Sequence, residues 1–217
     1  MQKTNRESLD VKKLGSRGAN DRLKSPELTA ETVELTNPGS SHFLAAGLRK
    51  ELDLTIKGST GYYLGTCMDG PNITVEGNAG WYPGDNLTSG SIRIEGSAGD
   101  GAGQGLYGGK VVVTGNCGSR TGQLMKNGTV IVGGDSGFMT GLYAFGGRII
   151  VLGDAGEKAG ESVLGGTIYV QGAVASLGQG ATIKETGTEE LEQLNNLVRE
   201  QKLEPADSFK KIIPADR

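Results

Sequence analysis

From residue 54 onward, aliphatic side chains return at a fixed step along the chain. One column runs Leu54, Ile73, Ile92, Val111, Val130, Ile149 and Ile168; a second, two residues later, runs Ile56, Val75, Ile94, Val113, Val132, Val151 and Val170. Positions two apart project to one face of a strand. Every member except Leu54 is valine or isoleucine, which pack well on a pleated surface. A third apolar column follows around the loop, at Met68, Leu87, Leu106, Met125, Ala144 and Val163. All three columns share one step, that from Leu54 to Ile73.

Glycine keeps the same step. Gly58, Gly77, Gly96, Gly115, Gly134, Gly153 and Gly172 form one column. Gly61, Gly80, Gly99, Gly118, Gly137 and Gly156 form a second, and Gly65, Gly84, Gly103, Gly122, Gly141 and Gly160 a third. Sharp turns repeated in every unit need positive φ or close backbone approach, and glycine supplies both. The column after the first glycine holds Ser59, Asn78, Ser97, Asn116, Asp135 and Asp154, turn residues able to bond nearby backbone.

A 19-residue unit with one short strand cannot bury its own apolar face, but stacked copies can. The pattern therefore predicts an all-β fold, a right-handed parallel β-helix: a single-stranded solenoid of about seven 19-residue turns over residues 53–185. The repeat fails in the seventh turn, at Ala175 and Gln179. Thr188, Glu189 and Glu190 then precede Leu191, Leu194, Leu197 and Val198, which predicts a capping α-helix over 188–202, N-capped by Thr188, within a C-terminal helix and tail spanning 186–217. Leu35 and Gly39 fall in step with the repeat, so 31–52 is expected to be an imperfect lead-in turn. Residues 1–30 are polar, mixed in charge and without periodicity, as in an arm that orders on a partner.

The strand position between the two inner columns faces outward and changes character along the chain. It reads Thr55, Thr74, Arg93, then Val112, Ile131, Ile150 and Tyr169, with Leu152 alongside. An exposed apolar strip of ~15 Å should be covered, by the apolar stripe of the 188–202 helix or by a partner. Tethering makes docking of the helix the cheaper option in entropy.

The 217 residues include 38 glycines, yet the 19-residue step is neither the three-residue period of collagen nor the irregular spacing of a disordered chain. A net charge of −3 and a pI near 5.3 give no basic stripe for nucleic acid. The stretch Met1–Glu7 has no apolar core behind its charges, unlike a signal peptide, and nothing approaches the ~18 apolar residues of a membrane span. Cys67 and Cys117 would lie in the first and fourth coils, roughly 14 Å apart at ~4.8 Å per coil, beyond the ~7 Å reach of a disulfide. Two unpaired thiols point to a reducing, cytoplasmic setting.

Several motifs look chemical in isolation. Gly134-Asp135-Ser136-Gly137 resembles the nucleophile segment of trypsin-like proteases, but the repeat accounts for it, and the sole histidine, His42, sits on the lead-in turn. Gly99-Asp100-Gly101-Ala102-Gly103-Gln104-Gly105 suggests a nucleotide loop, but a strand follows it instead of a phosphate-binding helix. One histidine and two distant cysteines do not make a zinc site. Glu76 and Glu95 share a column about 5 Å apart, a spacing compatible with the paired carboxylates of a retaining glycosidase. Lys57 completes that column and Arg93 lies beside it, so a solvated charge ladder is the plainer account. No catalytic, cofactor-binding or metal-binding residue is assigned.

The phrases Gly77-Asn78-Ala79-Gly80-Trp81, Gly133-Gly134-Asp135-Ser136-Gly137-Phe138-Met139-Thr140-Gly141 and Gly153-Asp154-Ala155-Gly156 resemble the β-helix domain at the C-terminal end of glutamate synthase. The lead-in Asn37-Pro38…His42-Phe43-Leu44-Ala45-Ala46-Gly47-Leu48, the exit Ala175-Ser176-Leu177-Gly178 and the closing Phe209-Lys210-Lys211-Ile212 make the chain more similar to the free-standing β-helix subunit of split glutamate synthase-like and N-methylglutamate synthases. The resemblance covers roughly residues 29–213. It implies a scaffold that is not catalytic by itself, in a hetero-oligomer with a glutamine amidotransferase-like subunit and an FMN-dependent glutamate synthase-like subunit. FMN and an iron–sulfur cluster would sit on a partner, with no cofactor on this chain. The β-helical subunit of formylmethanofuran dehydrogenase shares the glycine rungs, but the exit helix and the Phe209 segment argue against it. An independent β-helical carbohydrate-active enzyme, built on Glu76 and Glu95, is the alternative of another class.

Overall fold

The computed structural model describes residues 5–215, so Met1–Thr4, on which part of the targeting expectation rests, lie outside it. Nine parallel strands stack in chain order: β1 (Arg6–Asp10), β2 (Thr32–Thr36), β3 (Asp53–Lys57), β4 (Asn72–Val75), β5 (Ser91–Ile94), β6 (Lys110–Val113), β7 (Thr129–Val132), β8 (Arg148–Val151) and β9 (Thr167–Val170). From Leu54↔Ile73 to Val151↔Val170, each pairing repeats the step of the aliphatic columns. The fold is a parallel β-solenoid, and all members of the two strand columns and of the Met68–Val163 column are buried in its interior. At about 1.5–3 kcal/mol per buried aliphatic side chain, these columns are a substantial stabilising contribution.

A second wall, not apparent from the aliphatic pattern, is a ladder of single bridges joining Ala79, Ala98, Cys117, Ser136, Ala155 and Val174. The polar turn column has a more specific task than local turn bonding. Each side chain accepts the backbone N–H of its counterpart one rung on: Ser59 from Asn78 (3.0 Å), Asn78 from Ser97 (2.8 Å), and so to Asp135 from Asp154 (2.8 Å) and Asp154 from Ala173 (2.7 Å). Only a short side chain with an acceptor oxygen satisfies this geometry.

The three glycine columns exist for two different reasons. Gly77 has no positive φ, but a Cβ there would stand 2.8 Å from the backbone of Gly58 and Ser59. Gly141 has φ +74°, and a Cβ would also lie 2.4 Å from Ile168 Cδ1 in the core. Positive φ alone does not demand glycine, since Arg120, Leu124, Met139 and Tyr143 adopt it with their side chains outside.

Both ends differ from expectation. Residues 6–24 are not an unstructured arm: β1 extends the sheet beyond β2, and α1 (Val11–Lys24) covers the N-terminal end with Val11, Ala19 and Leu23 buried. A bidentate Arg22–Glu7 pair (2.6 and 2.7 Å) fixes α1 to β1. The helix escaped the periodicity because it is kinked at Gly15 (φ 67°, ψ 169°), which breaks the 3.6-residue stripe. The lead-in turn contains β2, a full strand whose Leu35 pairs with Ile56 and not with Leu54, because the turn between β2 and β3 is two positions longer than the repeat. A shift of two keeps every side chain on its face.

At the other end α2 (Thr188–Glu200) begins with Gly187 as N-cap, and Thr188 is its first helical residue. The open end of the solenoid is closed by β11 (Lys210–Pro214), antiparallel to β9, with β10 (Ala181–Glu185) antiparallel to β11 at the sheet edge. Helix α2 lies on the outer face of the sheet. Val112, Ile131, Ile150 and Tyr169 are buried with Leu194, Val198, Ala206 and Phe209 in a second core, so the apolar strip is covered from within the chain. Asn195 anchors the return segment through its amide, donating to Ala206 O (2.8 Å) and accepting Ala206 N–H (2.9 Å).

Candidate functional site

The carboxylates singled out in the sequence are engaged as ion pairs. Lys57 Nζ donates to Glu76 Oε1 at 2.6 Å and lies 3.8 Å from Glu34; the hydrogen bond to Glu76 is the main reason the ammonium titrates above its usual range. Arg93 donates to both oxygens of Glu95 (2.7 and 3.3 Å) and, through Nη1, to Gln201 O at 2.9 Å. Glu76 lines a shallow cleft of about 220 Å³ with Glu34, Thr55 and Lys57, and Glu95 is not part of its wall. Two carboxylates each neutralised by its own cation, outside a common cavity, fit a charge ladder better than an acid–nucleophile pair.

The Gly134–Gly137 turn belongs to the scaffold. Ser136 is buried in the small-residue ladder and accepts a hydrogen bond from Thr140 Oγ1 at 2.9 Å. His42 stacks on Tyr62 before β4, whereas Ser136 bridges Cys117 and Ala155 beyond β7, and strands stacked in chain order separate the two. Asp100, in the glycine-rich stretch, accepts the Ser119 N–H (2.9 Å) as another inter-rung link. Both cysteines are free; Cys67 is exposed, and burial pushes the Cys117 thiol up to about 12. Among the described residues no group of three His, Cys, Asp or Glu is arranged to hold a metal, and no helix is long and apolar enough to cross a membrane.

Two exterior features were not drawn from the sequence. The first is an apolar column, Tyr107, Phe145 and Leu164 (54%, 51% and 50% exposed), interrupted by Lys126, whose Nζ stands 4.4 Å from the Tyr107 ring centre. The backbone N–H groups of all four residues bond in one register, to Leu87, Leu106, Met125 and Ala144. Tyr143 projects beside Phe145 and is also exposed. The 19-residue step among Tyr107, Lys126, Phe145 and Leu164 was the available signal.

The second is a pair of ring stacks. His42, Tyr62 and Trp81 stack with centroids 4.5 and 4.8 Å apart. Phe43, Tyr63 and Tyr82 stack beside them at 5.1 Å per step. The N–H of Tyr62 donates to His42 Nδ1 at 2.9 Å, and Gly61 leaves the room for that ring, since a Cβ there would clash with Nδ1. The offset from Phe43 to Tyr63, one position longer than the repeat, hid this alignment.

A parallel solenoid with glycine-paced rungs, its turn polar groups occupied by inter-rung bonds, is the class of protein that these features define. The chain belongs to the GXGXG motif family, which matches residues 30–206. No curated protein matches it. Among solved structures it is similar to a chain of the formyltransferase/hydrolase complex from Methylorubrum extorquens, crystallised in complex with methylofuran. The likeness has a TM-score of 0.74 and 20% identity, and covers 95% of this chain and 90% of that one.

Proposed function

We propose that this chain is a scaffold subunit of a multi-subunit enzyme complex and carries no catalytic group of its own. The observation that supports it most is the contrast between two apolar columns. The outer strip Val112–Tyr169 is covered by α2, whereas Tyr107, Phe145 and Leu164 stay open with Tyr143 beside them. An aligned, half-exposed column on a rigid wall is the kind of surface that a partner covers.

The complex we favour is glutamate synthase-like, on the resemblance of the rungs, lead-in and exit. The β-helix would organise the glutamine amidotransferase-like and FMN-dependent synthase-like subunits and the ammonia or amine route, with FMN and the iron–sulfur cluster on a partner. A second reading, a β-helical subunit of formylmethanofuran-type chemistry, is supported by the solved complex. The likeness to that chain spans 95% of this one, which weakens the case against this reading from the exit helix.

Reconstitution with the candidate partners tests both. Synthase activity with ammonia or methylamine as acceptor, dependent on this chain and unchanged by Glu76→Gln, supports the first; formyl transfer to a furan cofactor in its place supports the second. Phe145→Asp with Leu164→Asp should abolish assembly at unchanged melting temperature. Assembly that survives both substitutions would refute the role given to this column.

A further inference from the structure

We propose that the cleft between α1 and the leading rings of the two stacks binds a planar aromatic anion, of the class of a heteroaromatic ring bearing phosphate. The stacks run along the solenoid and begin at His42 and Phe43. Each has one face against its follower, Tyr62 or Tyr63, while both residues remain exposed. Both residues also line a cleft of about 760 Å³, large enough for a mononucleotide, together with Arg17, Asn20, Asp21 and Lys24 of α1. A flat ring entering there continues a stack already in place, at the spacing and near-parallel orientation (4° for Phe43 on Tyr63) that aromatic pairs favour.

The cleft is preorganised. Asn20 Nδ2 donates to Phe43 O at 2.7 Å and its Oδ1 accepts the Ala45 N–H at 2.8 Å, so a single side chain clamps the helix to the ring-bearing segment. The Arg22–Glu7 pair ties the same helix to β1, and Phe43, in the left-handed region at φ 58°, donates its N–H to Tyr62 O (2.8 Å). A rigid receptor loses less entropy on binding. The charge at the rim selects the anion. Arg17 and Lys24 oppose a single acid, Asp21, which Arg17 meets only at 3.9 Å with its side chain 96% exposed. A phosphate in place of that loose contact gains bidentate, charge-assisted bonds.

His42 is the sole histidine, so its ring protons give an unambiguous NMR reporter at the binding face. Titration of the full chain with adenosine 5′-monophosphate should shift these signals upfield and saturably, as a stacked ring current requires. Adenosine and the Arg17→Glu variant should each bind about tenfold more weakly. Phe43→Ala should abolish the shift at unchanged melting temperature, and Tyr143→Ala, on another wall, should leave it intact. The proposal is overturned by an absence of any shift up to about 5 mM ligand. It is equally overturned if ribose 5-phosphate reproduces the shift, or if a folded Arg17→Glu protein binds as tightly as the parent.

Discussion

The phenol of Tyr169, at the outer face of β9, donates a 2.6 Å hydrogen bond to Glu190 Oε1 on α2, and Lys211 of β11 reaches the same oxygen at 2.6 Å. One carboxylate thus joins the covering helix, the last solenoid strand and the closing strand. The bond from Lys211, then that from Tyr169, holds the Glu190 carboxyl below its ordinary value of 4.5. A lowered carboxylate stabilises the fold above its unfolded-state pKa and loses that contribution as pH falls through the folded value. Below pH 4.5, α2 should therefore loosen and uncover the Val112–Tyr169 strip. Binding of a hydrophobic dye should rise on acidification. Glu190→Gln should bind more dye at neutral pH and show a shallower pH response; a curve identical to the parent's would remove Glu190 from this role.

The Cys117 thiol gives the opposite sign at the alkaline end. Burial raises it from 9.0 to about 12, so the unfolded chain ionises first and stability falls as pH rises between those values. The slope approaches about 1.4 kcal/mol per pH unit. Tyr169, raised from 10.0 to about 12 chiefly by burial, joins only above pH 10. Cys117→Ala, which matches its ladder neighbour Ala98, should flatten the decline from pH 9 to 10 in denaturant titrations.

The glycine columns yield a paired test of backbone against packing. Gly141→Ala meets both a positive φ and Ile168, and should cost more than about 2 kcal/mol. Arg120→Gly, at φ 57° with its side chain outside, relieves left-handed strain and should be neutral or stabilising by up to about 1 kcal/mol. Equal destabilisation by the two in thermal melts would contradict the packing explanation of the third glycine column.

Val132 is fully buried between Val113 and Val151 in the sheet. Val132→Asp places an unpaired charge in the solenoid interior and should cost several kcal/mol, unfolding neighbouring rungs with it. Circular dichroism should show lost β signal and a melting temperature lowered by many degrees; an unchanged melt would contradict the inward placement of this column.

What the sequence determined was everything that repeats. Each rung meets the same neighbours, so Ile73 and Ile149 face the same demand, and a column of like residues reveals it. The strand register, the buried faces and the glycine turns from 53 to 172 follow from that. That the outer strip needed a cover also followed, but between α2 and a partner the sequence only favoured α2, and the structure decided for it, with Leu194 and Val198 buried against the strip. The ends were decided by tertiary structure because they do not repeat. Helix α1 has a stripe broken at Gly15 and is held in place by its packing against β1 and β2 at the N-terminal end of the solenoid, where Val11, Ala19 and Leu23 join the core. Strand β11 reverses direction to close a core that no further rung continues. The candidate cleft has the same origin. The stacks behind its two rings come from successive coils whose offset, Phe43 to Tyr63, departs from the repeat, and its other lining comes from a helix that ends at Lys24, well ahead of them in the chain; only folding brings them together.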